Sequence, residues 1–147
     1  VTMAVWLGVI YLTAPLAREW HKQPAVRAQL DAQPAYLLSR KADEVAGQFG
    51  LQMMNVGYEN ARYFYSGQLL GDWFGKDRFT DYAIYQDGGW HMRPASDVLA
   101  RMQKNSVNLL LIHSGSFAFD AADYGEHFDL LLNAGPGYLY AKKPSSN

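Results

Sequence analysis

Ser96-Asp-Val-Leu-Ala-Arg-Met-Gln-Lys-Asn105, followed by Val107-Asn-Leu-Leu-Leu-Ile112, is the stretch that decides the fold class. Val98, Leu99 and Met102 share one helical face, Ser96 is a good N-cap with Asp97 in the first turn, and Lys104-Asn105 closes the helix. The apolar run that follows is the strongest strand signal in the chain. Upstream, Tyr36 to Phe49 places Leu38, Ala42, Val45 and Phe49 at helical spacing, with Gly50 as the stop. Leu51-Gln-Met-Met-Asn-Val56 then reads as a short buried strand. Strand, helix and strand in that order argue for a right-handed crossover and a parallel pair. Phe128 to Asn133 and Tyr138 to Ala141 flank Ala-Gly-Pro-Gly, a β-hairpin pattern. The expectation is an α/β fold: a small three-layer, Rossmann-like mixed sheet with a parallel βαβ unit and a C-terminal β-hairpin, preceded by an apolar helix. Pro24 and Pro34 punctuate the connector between that helix and the rest.

The chain's 147 residues supply one domain with its own core rather than two. With 13 basic against 14 acidic residues and no dense Lys/Arg block, there is no electrostatic footprint for nucleic acid, and no nucleic-acid partner is expected. Cysteine is absent, which removes disulfides, thiol nucleophiles and zinc-thiolate sites. No cofactor is expected.

Apolar residues concentrate at the start. Val1 to Ala17 carries no charge and has no wet face, and about 17 residues is the lower limit for a bilayer span. A signal peptide, a buried helix of a soluble domain and the end of a transmembrane helix are the competing readings. The signal peptide lacks a positive start, and Ala14-Pro-Leu-Ala17 fits a cleavage site poorly. The transmembrane reading places Arg18-Glu-Trp-His-Lys22 at headgroup level, where Trp and cations suit the interface. One globular domain preceded by a helical segment is therefore expected: residues 1–22, an apolar helix that ends in or abuts the membrane, and residues 23–147, an extracytoplasmic α/β domain.

The four histidines (His21, His91, His113, His127) are dispersed and lack metal-ligand spacing. His113-Ser-Gly-Ser116 follows a strand but lacks the two glycines of a nucleophile elbow, so a polar strand-end loop is expected. Asp120, Asp123, Glu126 and Asp129 recur every three residues, whereas a calcium loop wants alternate positions. A solvated acidic face accounts for them. The dense cluster lies elsewhere: Tyr58-Glu-Asn-Ala-Arg-Tyr-Phe-Tyr65 and Leu70-Gly-Asp-Trp-Phe-Gly-Lys-Asp-Arg-Phe-Thr-Asp-Tyr82. It follows the end of the first strand, where open α/β sheets place ligands. Rings that stack on apolar sugar faces, beside charges that take hydroxyls or phosphate, make Glu59, Arg62, Tyr63, Tyr65, Asp72, Trp73, Asp77 and Arg78 the candidate substrate-binding residues. Ordinary surface charges over aromatics packed beneath a long loop are the competing account. No catalytic residue and no metal ligand is assigned.

These residues carry a resemblance. A final membrane helix, a Tyr36-Leu-Leu-Ser-Arg40 helix, a short strand, Gly57-Tyr-Glu59 with Arg62 and Phe64-Tyr65, then Gly71-Asp-Trp-Phe-Gly75 resemble the C-terminal soluble region of bacterial lipid-linked-sugar glycosyltransferases related to protein O-mannosyltransferases and aminoarabinose transferases. The resemblance covers nearly the whole chain. This sequence departs from the pattern in placing Tyr58 between Gly57 and Glu59 and in a shorter linker at Gly50. The resemblance implies a polytopic enzyme of the bacterial inner membrane, using a polyprenyl-phosphate sugar donor, with this domain on the periplasmic, extracytoplasmic face. The family's catalytic acid lies in the first extracytoplasmic loop, outside this sequence. The chain is then a non-catalytic domain whose partners are the membrane, the remainder of its parent enzyme and a lipid-linked sugar or acceptor. The alternative is a stand-alone membrane-anchored binding or interaction domain with no enzymatic activity.

Overall fold

A strand covered on both faces has no side to spare for polar residues, and Leu109–His113 (β5) is built that way. Leu109 and Leu111 point to one face of the sheet, Leu110 and Ile112 to the other, and all four are fully buried. In the computed structural model, which describes residues 24–71 and 79–144, β5 is the central strand of a five-stranded mixed sheet. Its neighbours are β1 (Gln52–Val56), parallel to it with Met53 opposite Leu109, and β8 (Gly137–Lys142), antiparallel with Leu111 opposite Leu139. The short β2 (Gln68–Leu70) lies parallel to β1 at one edge, and β7 (Phe128–Ala134) pairs with β8 at the other. The spatial order is β2-β1-β5-β8-β7.

One face is covered by α2 (Pro34–Phe49), which packs on β5, β7 and β8. Leu38 and Ala42 meet Met53, Leu109, Leu111, Leu139 and Ala141 there. Gly50 ends this helix with φ of 90°, and its N–H donates to Ala46 O (2.7 Å), the left-handed cap that a side chain would strain. The opposite face carries α3 (Ala95–Lys104), α4 (Ala121–His127) and a three-stranded sheet made of β3 (Ala83–Gln86), β4 (Gly89–Met92) and β6 (Phe117–Ala118). Val98, Met102, Tyr124 and Phe117 share this second core with Met54, Val56, Leu110 and Ile112. The fold is therefore a three-layer α/β arrangement with parallel strand pairs and a C-terminal hairpin, and α3 lies in the connection between the parallel strands β1 and β5.

Several local expectations change. The Pro24–Pro34 connector contains a helix, α1 (Pro24–Asp31), and proline opens both α1 and α2, where its missing N–H costs nothing. The chain divides into two compact units, residues 1–33 and 34–147. The expected apolar helix over residues 1–22 lies outside the described residues. Among those described, no helix is long and apolar enough to cross a membrane. Helix α3 begins at Ala95, with Pro94 rather than Ser96 in the capping position and no side-chain cap from its own segment. The cap comes from a distant residue: Asp123 Oδ2 accepts the Ala95 N–H at 2.7 Å. Asp120 in turn caps α4 through the N–H groups of Ala122 and Asp123. Two members of the periodic acidic series thus hold helix starts.

Candidate functional site

The chain leaves β1 in one direction to β2 and returns on the other side as β5, so the ends of β1 and β5 diverge and open a crevice. A cleft of about 740 Å³ occupies it. That volume is within the range of about 300–1,000 Å³ typical of small-ligand sites. Asn55, Gly57 and Tyr58 leave β1 along its floor, His113 ends β5, and Trp90 with Phe117 come from the smaller sheet as a wall. Glu59, Asn60 and Arg62 supply polar groups from the turn after β1, and Ser116 adds a hydroxyl.

The turn is fixed by its own sequence. Asn55 Nδ2 donates to Tyr58 O at 2.7 Å, and the Tyr58 N–H donates back to Asn55 Oδ1 at 3.1 Å, which locks the exit from β1. Gly57 adopts φ of 96°, and a Cβ there would come within 2.8 Å of Phe117 Cε2 and 3.0 Å of His113 Cβ. Only glycine lets the turn and the Phe117 ring approach this closely. The next residues form a 3₁₀ helix, Glu59–Tyr63, with three residues per turn, so Glu59 and Arg62 recur on the cleft side.

Lining rings contact one another and a neighbour: Tyr58 meets His113 edge-to-face with centroids at 4.7 Å, Trp90 is tilted against Phe117 at 6.2 Å, and Tyr85, outside the lining, meets Trp90 edge-to-face at 5.4 Å. Phe117 is buried and Trp90 half-buried, which makes the indole the larger accessible surface of that pair. Burial pushes the Tyr58 phenol above its ordinary range. Tyr58 Oη and His113 Nδ1 are both buried without a protein partner, a cost of about 1–3 kcal/mol each. Two polar groups left unmatched at one strand junction mark it as a place where packing has not been optimised for stability.

Of the residues singled out in the sequence, the cleft brings together Glu59 and Arg62. Tyr63 follows them around the 3₁₀ helix and is 75% exposed, away from the lining. Tyr65 is buried in the core beneath α2, where Asp43 accepts from the adjoining Ser66 backbone N–H and hydroxyl. Burial, and secondarily the Asp43 carboxylate, raise its phenol pKa. Asp72, Trp73, Asp77 and Arg78 lie outside the described residues. Asn55, Asn60, Trp90, His113, Ser116 and Phe117 were not among the sequence candidates, yet they line the same space. Among the described residues, no group of three or more His, Asp or Glu side chains is placed to share a metal ion.

Fold and cleft together define an α/β domain with a ligand-sized crevice at the switch point of its sheet. The chain belongs to the SF2091/S2213 family, whose model matches residues 25–141. A Shigella flexneri relative that carries the name "Uncharacterized protein SF2091.1/S2213" is 29% identical over 117 residues, which span 79% of this chain and 97% of the relative. No solved structure matches.

Proposed function

We propose that the chain is a non-catalytic binding domain whose cleft takes the sugar of a polyprenyl-phosphate donor, or the acceptor, of a membrane glycosyltransferase of which it forms the C-terminal part. One observation carries this reading: the crevice at the ends of β1 and β5 combines a half-buried Trp90 with hydrogen-bonding groups from Asn60, Glu59, Arg62 and Ser116. Aromatic faces stack on the C–H face of a sugar ring while amides, carboxylates and guanidinium groups take its hydroxyls. The motif order from Tyr36 to Gly75 supports the glycosyltransferase context by resemblance. In that context the reacting groups come from the parent enzyme's loops and this domain contributes affinity and orientation.

The test is retention without turnover. Full-length chain in liposomes doped with a radiolabelled polyprenyl-phosphate hexose should hold the label while the sugar stays attached to its lipid. Steady release or transfer of the hexose would refute a non-catalytic role, and absence of retention would refute contact with the donor. The stand-alone alternative is separated by the reading frame upstream of Val1: many hydrophobic spans support the parent enzyme, and a start codon beside Val1 supports the isolated domain.

A further inference from the structure

Resting on the reading of this cleft as a ligand site, we propose that His113 is its specificity-determining residue, donating from Nε2–H to an oxygen of the bound sugar. The motif His113-Ser-Gly-Ser116 lacks a nucleophile elbow, and Ser114 is spent on the C-terminal hairpin. Its N–H donates to Pro136 O at 2.8 Å and its hydroxyl to the same oxygen at 3.0 Å. His113 is the member of the motif whose side chain is held at the cleft. Pairing of β5 with β8 sets its backbone opposite Gly137, and the Tyr58 ring meets the imidazole edge-to-face at 4.7 Å. Gly57 and Gly115 both close on it. A Cβ at Gly57 would stand 3.0 Å from His113 Cβ, and one at Gly115 would stand 2.9 Å from Cε1 and 3.4 Å from Nδ1. A ring fixed in this manner loses little further freedom when it meets a ligand.

The two ring nitrogens differ in surroundings. Nδ1 is enclosed without a protein partner; Nε2 is not enclosed in that way, and the ring borders the cleft. In a neutral imidazole one nitrogen donates and the other accepts. A buried N–H without an acceptor is rarer than an under-satisfied acceptor, so the proton belongs on Nε2. The cleft therefore receives a donor from the end of β5, while Glu59, from the turn after β1, offers carboxyl oxygens. Sugar hydroxyls, which accept from one and donate to the other, suit both.

Imidazole nitrogen–proton correlation spectra of the isotope-labelled full-length chain in detergent, at about pH 8 and so above the ordinary histidine pKa of about 6.5, read the tautomer directly. The expected result is Nε2–H on His113, with a saturable shift of that signal when a methyl hexopyranoside or a short-chain polyprenyl-phosphate hexose is added. A proton on Nδ1 would overturn the assignment. Inorganic phosphate moving the signal where the methyl hexopyranoside does not would transfer the contact to a phosphate oxygen and overturn the choice of a sugar oxygen. His113→Gln places its amide nitrogen near the position of Nε2 and should hold the lipid-linked probe within about threefold of the unsubstituted chain. His113→Asn places it near Nδ1 and should weaken binding about tenfold. Equal affinities for the two variants, both folded by circular dichroism, would make His113 a structural ring and overturn its role while leaving the cleft as a site. No saturable shift anywhere in the unsubstituted chain with either sugar probe would refute the cleft reading itself, and the role of His113 with it. The tautomer is read on the unsubstituted chain, so a variant that fails to fold leaves that result standing.

Discussion

Replacing Gly57 with alanine tests the geometry of the crevice through stability alone. Two costs follow from the structure. Alanine at φ of 96° enters a sparsely populated backbone region, which costs about 1–3 kcal/mol. Its Cβ would also stand 2.8 Å from Phe117 Cε2 and 3.0 Å from both Phe117 Cδ2 and His113 Cβ. Relief requires displacing a buried ring, with an overpacking cost of about 1–3 kcal/mol. Together these destabilise by about 2–6 kcal/mol, a large part of the roughly 5–15 kcal/mol that a domain of this kind has. Two other glycines separate the terms. Gly50 has φ of 90° but open space around its Cβ position, so Gly50→Ala should show the backbone cost alone. Gly47 is exposed within α2, at ordinary φ and with no neighbour in reach, so Gly47→Ala should stabilise by about 0.5–1 kcal/mol. Urea unfolding followed by far-ultraviolet circular dichroism gives all three values. The order Gly47→Ala above wild type, then Gly50→Ala, then Gly57→Ala is the prediction. A Gly57→Ala protein as stable as Gly50→Ala would show that Phe117 and His113 do not close on the turn.

Other outcomes follow from particular contacts. Asp123→Ala removes the acceptor of the Ala95 N–H and should lower stability by about 1–2 kcal/mol, measured by urea midpoint; an unchanged midpoint would mean that α3 caps itself. Tyr58→Phe deletes a buried hydroxyl with no protein partner, so stability should hold or rise by up to about 1 kcal/mol, and a clear loss would reveal a partner for that oxygen. Leu111→Ala should cost about 2–5 kcal/mol, because the side chain is fully buried in the layer under α2; a cost below about 1 kcal/mol would contradict a two-sided sheet. Burial, with Tyr138 as the second cause, pushes the Tyr140 phenol from 10.0 up to about 12. Burial likewise raises the Tyr124 phenol. The folded state therefore keeps protons that the unfolded chain has released. This stability is complete below about pH 10 and is lost as pH rises through about 12. Urea midpoints that stay flat from about pH 8 to about pH 11 would refute it.

The sheet was legible where apolar residues repeat with a clear period. Leu38 and Ala42 mark the buried face of α2, and Val107 to Ile112 marks β5, because each covers enough residues for burial to dominate local preference. Strand β2 was not legible: three residues at a parallel edge, with Gln68 exposed, leave no pattern to read. The β3–β4 hairpin did carry a signal, Asp87-Gly88 between Tyr85 and Trp90, with positive φ at both turn residues. The capping of α3 was hidden because its acceptor, Asp123, is 28 residues away. The site divides in the same manner. Glu59 and Arg62 could be found from their neighbours in the chain, since both follow the end of β1. Trp90, His113 and Phe117 arrive from three other strands, and only the strand order brings them to the same crevice.

A ligand of this domain should enter at that crevice. Backbone chemical-shift mapping of isotope-labelled full-length chain with a short-chain polyprenyl-phosphate hexose measures it directly. The predicted result is a cluster of saturable shifts at Gly57, Asn60, His113 and Ser116, together with the Trp90 indole, which border the ends of β1 and β5. Saturable shifts confined to the outer edge strand, around the exposed Leu130 of β7, with none at the crevice, would contradict it.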